Sequence, residues 1–225
     1  MHRLILISTF FCITLNAQLH SSEDYPLHYS PELMDSLNKK EVGIKFIFSR
    51  NKTNYDFKND QGLGESGIFS DHGASFGVEK TLLNLLNKKI ELSINVFIDE
   101  FNQIGSIPEN TFSWNSFFLT TGGSTSIPLI ALRDSKFIRL SAGVGVSKCV
   151  FAKQTINDIE YDIKDHEEFD GVFSKASFGL CMDSFKIENI IFSIALRQEF
   201  FTSLDDNSVQ ELNINNTKIS LQVRL

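Results

Sequence analysis

The sequence predicts an all-β fold, an eight-stranded antiparallel up-and-down barrel whose strands cross a membrane. Three observations carry that expectation. Eight segments alternate apolar residues with polar or small ones, as β-strands with one greasy face do. The connections between them alternate in length. Beyond the N-terminus, no stretch offers the ~18 uncharged apolar residues that a spanning helix needs, which leaves a closed barrel as the only way across.

The first element is "MHRLILISTFFCITLNAQ". Arg3 precedes an apolar run from Leu4 to Leu15, and small residues end at Ala17. This is the layout of a secretory signal peptide over 1–17, cleaved after Ala17. Cys12 lacks the small residues before it that lipidation requires. Without Arg3 the chain keeps 20 basic residues against 28 acidic ones, a net charge of −8. No basic stripe appears, so a nucleic-acid partner is not expected. Residues 18–40 form an N-terminal tail. Within it "SPELMDSLNKK" reads as a short helix, with Ser30 as N-cap, Pro31 in the first turn and Lys39 and Lys40 at the end.

The barrel domain is expected over 41–225. Its first segment places Val42, Ile44, Phe46 and Phe48 on one face. The second sets Ala74, Phe76 and Val78 against Gly73, Ser75, Gly77 and Glu79. The third sets Ile90, Leu92, Ile94, Val96 and Ile98 against Glu91, Ser93, Asn95 and Asp99. The fourth, "FSWNSFFLTTGGSTSIPLI", is the least regular, and its Gly pair and Pro predict a bulge or an early end. The fifth, "KFIRLSAGVGVSKCVF", splits most cleanly: Ile138, Leu140, Ala142, Val144 and Val146 on one side, Arg139, Ser141, Gly143, Gly145 and Ser147 on the other. "GVFSKASFGLCM", "NIIFSIALRQEFF" and "LNINNTKISLQVRL" complete the set. The intervening connections run to roughly 15, 8, 11, 5, 19, 6 and 7 residues, the pattern of long external loops and short turns on the opposite side.

With the first strand running outward, Phe48, Phe69, Phe101, Trp114, Phe151, Phe173 and Phe200 fall near the outer strand ends. They are expected to form one aromatic ring at the membrane interface. The inward face would carry Lys45, Glu79, Glu91, Arg139, Lys175, Arg197, Glu199, Lys218 and Arg224. An eight-stranded barrel has room only for its own side chains, so these charges must pair in a packed polar interior without an open channel. The same alternation also admits the reverse arrangement, a secreted lipocalin-like barrel that is apolar inside and binds a small lipophile.

The chain resembles the small outer-membrane β-barrel proteins grouped as PorT-like barrel domains of the Bacteroidetes type. The resemblance covers about 41–225 and is sharpest at "KISLQVRL". There Lys218, Ser220, Val223 and Leu225 occupy the places of a C-terminal barrel-assembly signal, with Ser220 where Gly is usual and Leu225 where Phe is usual. It implies a bacterial outer-membrane location, with outer-membrane lipid and the barrel-assembly machinery as partners, and a structural or surface-interaction role rather than an enzymatic one.

Other residues were weighed for chemistry. Ser70, Asp71 and His72 adjoin in "SDHGASF", but neighbours on a strand point to opposite faces, so Asp71 is poorly placed to orient His72 and no catalytic residues are expected. Asp158, Glu160 and Asp162 alternate in "DIEYD" and are weak candidates for a divalent cation, lacking the rest of a calcium loop. No cofactor is expected. Ile159, Tyr161 and Ile163 continue the alternation past the ring, predicting an outward hairpin over 153–170 whose edge would take a protein partner. Cys149 and Cys181 fall at opposite strand ends and are expected as free thiols that face inward.

Overall fold

The computed structural model describes residues 43–58, 68–85, 90–107, 110–131, 137–204 and 211–225. The expected signal peptide and the 18–40 helix lie outside these residues. The strands are β1 (Ile44–Lys58), β2 (Ile68–Leu85), β3 (Ile90–Ile107), β4 (Asn110–Ala131), β5 (Phe137–Ile156), β6 (Ile159–Asp162), β7 (Val172–Ile187), β8 (Ile190–Ser203) and β9 (Glu211–Arg224). A single turn of helix, α1 (Glu167–Asp170), precedes β7.

Every pairing is antiparallel. Eight strands run in the order β4-β3-β2-β1-β9-β8-β7-β5, and the β4–β5 ladder closes the ring. The seam between first and last strands is long, from Lys45 opposite Arg224 to Lys58 opposite Glu211. Closure leaves no barrel edge unpaired, so the backbone satisfies its own hydrogen bonds all the way round. Among the described residues the short β6 is the one strand outside the ring, paired with Lys153–Ile156 of β5.

The strands overshoot the sequence expectation. β3 has 18 residues, β4 has 22 and β5 has 20, about twice the ~9–11 that a tilted strand needs to cross a bilayer. The β3–β4 connection shrinks from the expected 11 or so residues to 108–109. β4 does not end early either. It absorbs its Pro as a register shift between Pro128 and Ile130, with a second shift at Phe117/Phe118, placing the residue without an N–H at a bulge.

One parity faces inward along most of each strand and switches only at the register shifts: on β5 Val150 and Phe151 are both exposed before Ala152 turns in, and on β7 Phe185 is outward although Asp183 is inward. Val144, Ile194, Leu196, Ile219 and Leu221 are exposed on the outside, Ile219 by 63%. Arg139, Lys175, Arg197, Glu199 and Lys218 lie within. Ionic groups inside and apolar groups outside are the reverse of a lipocalin-like barrel, and that alternative is thereby overturned.

The outward aromatic ring has a different membership from the one expected. Three outward pairs form between neighbouring strands: Phe48 with Phe76 (ring centroids 5.2 Å apart), Phe117 with Phe151 (5.8 Å) and Phe178 with Phe200 (5.9 Å). Phe48, Phe151 and Phe200 belong to it. Phe101, Trp114 and Phe173 do not, because they share the inward parity and are buried; the side chain of Phe69 is outside the described residues. Near the other mouth Phe185 and Phe192 stack at 4.4 Å.

Candidate functional site

The barrel interior has two layers. The lower one, toward the mouth with the short turns, is ionic. Glu91 receives Arg139, Lys45 (3.4 Å) and Arg224 (3.3 Å). Glu79 pairs with Lys45 at 2.8 Å and with Arg197 at 3.6 Å, and Asp183 meets Arg139 at 3.6 Å. A rung higher, Lys218 binds both Asp99 and Glu199 (2.8 Å), and Lys175 binds Glu199 at 2.7 Å. Thr120 and Asn216 donate to Asp99 and Glu199 at 2.9 and 3.1 Å. The structure therefore brings all nine of the interior charges named from sequence into ion pairs. It adds Asp99 and Asp183, whose signal was inward parity on β3 and β7.

Buried ion pairs hold a fold only when each charge is matched and hydrogen-bonded, since one orphaned partner costs several kcal/mol. The alternating Gly and Ser of β5 permit this density. Ser141, Gly143, Gly145 and Ser147 form a thin wall, and the small residues leave room beside it for the long side chains of Lys175 and Arg197. Phe97 uses the same device. Its ring lies where a Cβ on Gly77 would be, and the Lys218 and Lys175 ammonium groups stand 4.9 and 5.0 Å from its centre.

The upper layer corrects the expectation of a wholly polar interior. Phe101, Phe118, Phe173 and Phe201 are fully buried and touch in a chain with centroid spacings of 5.1 to 5.3 Å. Tyr55, Trp114, Leu212 and Ile214 join them. The connection after β6 then folds over this mouth, so Ile163 and Phe169 of α1 are buried in the same cluster, Phe169 edge-on to Tyr55 at 6.2 Å. Burial pushes the Tyr55 phenol well above the usual tyrosine range. Its hydroxyl is engaged with Ser116 and with the Phe101 carbonyl (3.1 Å).

The hairpin over 153–170 is present but short. Asn157 and Asp158 turn it with φ of 46° and 68°, the left-handed geometry that suits a two-residue hairpin. The Asn157 N–H donates to the Thr111 carbonyl (3.2 Å), tying the tip to β4. Ile159 and Tyr161 are exposed, whereas Ile163 turns inward. The three acidic residues weighed as cation ligands are not gathered. Asp158 sits in the turn, Glu160 pairs with Lys153 (2.6 Å), and the Asp162 carboxylate accepts the Lys164 N–H. Among the described residues no group of three or more His, Cys, Asp or Glu is placed to hold a metal ion.

Asp71 does not orient the His72 imidazole. Its carboxylate accepts the His72 backbone N–H at 2.7 Å, while the ring Nδ1 lies 3.3 Å from the Asn51 carbonyl. Cys149 and Cys181 are both free and buried. In the C-terminal strand, Lys218 and Ser220 point inward, Ser220 bonding Ser49 at 2.9 Å, and Leu225 is exposed.

These features define a closed eight-stranded antiparallel barrel with an apolar exterior belt and a filled interior. No protein-family model matches the chain, and no curated protein is similar to it in sequence. Several solved structures are similar in shape. Ail, the attachment invasion locus protein of Yersinia pestis, is 10% identical over 82% of this chain and 99% of its own, with a TM-score of 0.47. Neisserial surface protein A is 10% identical over 81% of this chain and 96% of its own, with a TM-score of 0.44. The outer membrane protein OprG from Pseudomonas aeruginosa is 10% identical over 82% and 96%, with a TM-score of 0.38. The likenesses are distant, and the architecture stands on this chain's own strand pairings.

Proposed function

We propose that the chain is an integral barrel of a bacterial outer membrane, acting without catalysis as a structural or surface-interaction protein. The observation that carries this reading is the belt. Above the Phe185–Phe192 stack the outward residues of β8 and β9 are Ile194, Leu196, Ile219 and Leu221, ending at Gln198 and Thr217, which bond each other at 2.7 Å. On β8 the span from Phe192 to Phe200 is close to the ~9–11 residues of a tilted crossing. A water-facing surface of that extent would be a strong aggregation liability; facing hydrocarbon, it is at rest.

Above the belt the outer face turns polar, with Arg50, Lys52, Asn54 and Asp56 along β1 exposed. That rim, together with the 153–170 hairpin, is where a protein partner would dock, since the filled interior offers a solute no passage. The C-terminal strand, with Lys218, Ser220, Val223 and Leu225, would be read by the barrel-assembly machinery. The PorT-like grouping rests on that strand and on the signal-peptide pattern.

The test is fractionation followed by electrophoresis in SDS with and without boiling. The expected result is recovery in the outer-membrane fraction and faster migration unboiled, as a closed, SDS-resistant barrel gives. Recovery in the periplasm or medium would overturn the reading.

A further inference from the structure

The interior charges do not quite balance. Among the described residues, Lys175 and Lys218 are matched by Asp99 and Glu199. Below them four cations, Lys45, Arg139, Arg197 and Arg224, share three carboxylates, Glu79, Glu91 and Asp183. The surplus falls on Arg197. Its one ion pair is the 3.6 Å approach to Glu79, whose other oxygen Lys45 already holds at 2.8 Å. The Arg197 side chain is nine-tenths buried and its Nε has no hydrogen-bond partner.

Beside Arg197 lies a cavity of ≈ 10 Å³. Its polar lining is Arg197, Lys175, Asn95, Ser124, Ser141 and Ser177. The hydroxyls of Ser124, Ser141 and Ser177 already donate to Glu79 and to the Gly179 and Gly143 carbonyls, so the positive charge facing the space comes from Arg197 and Lys175, and no carboxylate is among the lining residues. The space suits one monatomic occupant. Burying an unmatched guanidinium in low dielectric is costly, and an anion beside it removes that cost, whereas a water molecule satisfies the N–H and leaves the charge.

We propose that this cavity is a binding site for a single monovalent anion of chloride size, held by Arg197 and Lys175 against the Ser-lined wall of β4, β5 and β7. The site is internal, so the anion acts as a structural ion that completes the ionic layer. The inference rests on the inward parity of these strands and not on where the protein resides.

The test uses the full mature chain, folded in detergent, with unfolding followed by loss of the fast-migrating band. Chloride, bromide and gluconate are compared at one ionic strength. Chloride and bromide should raise the unfolding midpoint saturably over gluconate, by about 2–4 °C at saturation. Arg197→Met should abolish the difference. Ser177→Val, which fills the cavity while leaving every ion pair intact, should abolish it too and keep the fast-migrating form. Crystals grown in bromide should show an anomalous peak between Arg197 and Lys175. Equal midpoints in chloride and gluconate, a halide effect that survives Ser177→Val, or a bromide crystal without that peak would each overturn the proposal. Should Arg197→Met fail to fold, the valine variant and the bromide peak decide.

Discussion

Arginine in place of Val144 isolates the solvent that the belt faces. Val144 stands midway along β5 between Phe137 and Phe151, is 51% exposed, and has Gly123 and Ala176 as cross-strand neighbours. Those neighbours are small, so a longer side chain meets no steric obstacle and the cost of the substitution is one of solvation. On a lipid-facing barrel surface, arginine at the midplane costs about 2–4 kcal/mol and almost nothing at the interfaces. That is a fall of roughly 30- to 700-fold in the folding equilibrium. The control is Asn54→Arg on β1, exposed and six residues beyond Phe48 on the same outward face. It should change stability by less than about 0.5 kcal/mol. Both variants would be unfolded in urea in the presence of lipid vesicles. The single tryptophan, Trp114, reports the transition because it is buried in the aromatic layer and becomes exposed on unfolding. If Val144→Arg costs no more than Asn54→Arg, the outward face meets water and the membrane assignment fails.

Two further outcomes follow from the interior. Lys218→Met leaves Asp99 with no cation and Glu199 with only Lys175, and should cost about 3–5 kcal/mol in the same urea assay; adding Asp99→Asn should recover part of that, and a cost below about 1 kcal/mol would show the pair to be dispensable. Cys149 and Cys181, 1% and 8% exposed, should resist a maleimide reagent in the folded barrel and both react in urea, as mass spectrometry would show; labelling of either before unfolding would contradict the inward placement.

Strand number, closure and the inward set of charges were legible because β-parity is unaffected by what lies outside. Val144 and Val146 against Gly143 and Gly145 read the same way in sequence and in the barrel. Pairing partners were not legible. That Glu91 gathers three cations from β1, β5 and β9 depends on how the strands stagger around the ring, which no local pattern encodes. The length of β3 and β4 exceeds the expectation because the clean alternation ends near Glu100 and resumes only at Phe112, whereas the ladder continues through this stretch to Ile107 opposite Asn110. The aromatic ring was misassigned for a different reason: nearness to the strand end was allowed to outweigh parity for Phe101, Trp114 and Phe173.

The buried Phe101, Trp114 and Phe173 show how the barrel is built: along most strands the chemistry of the inward face reverses toward the upper end. Inside, Asp99 is followed two residues on by Phe101, Glu199 by Phe201, and Lys175 is preceded by Phe173, each pair a charge and then a ring. Outside, along the same strands, Ile98 gives way to Glu100, Phe48 to Arg50, and Ile219 to Thr217. The lower half is thus greasy outside and ionic within, as the proposed membrane barrel requires, and the upper half has an ordinary apolar core. Both are made from the same strands, with register shifts such as that at Phe117/Phe118 absorbed within the ladders. The reversal has a physical necessity behind it. On the proposed membrane reading, once a strand rises out of the hydrocarbon its outer face must be wetted, and the apolar residues that hold the extension together have only the interior left to occupy. The aromatic layer would then do for the upper half what lipid does for the lower one. With Ile163 and Phe169 it also closes the upper mouth, so on the same reading a partner would meet the rim and the hairpin rather than the lumen.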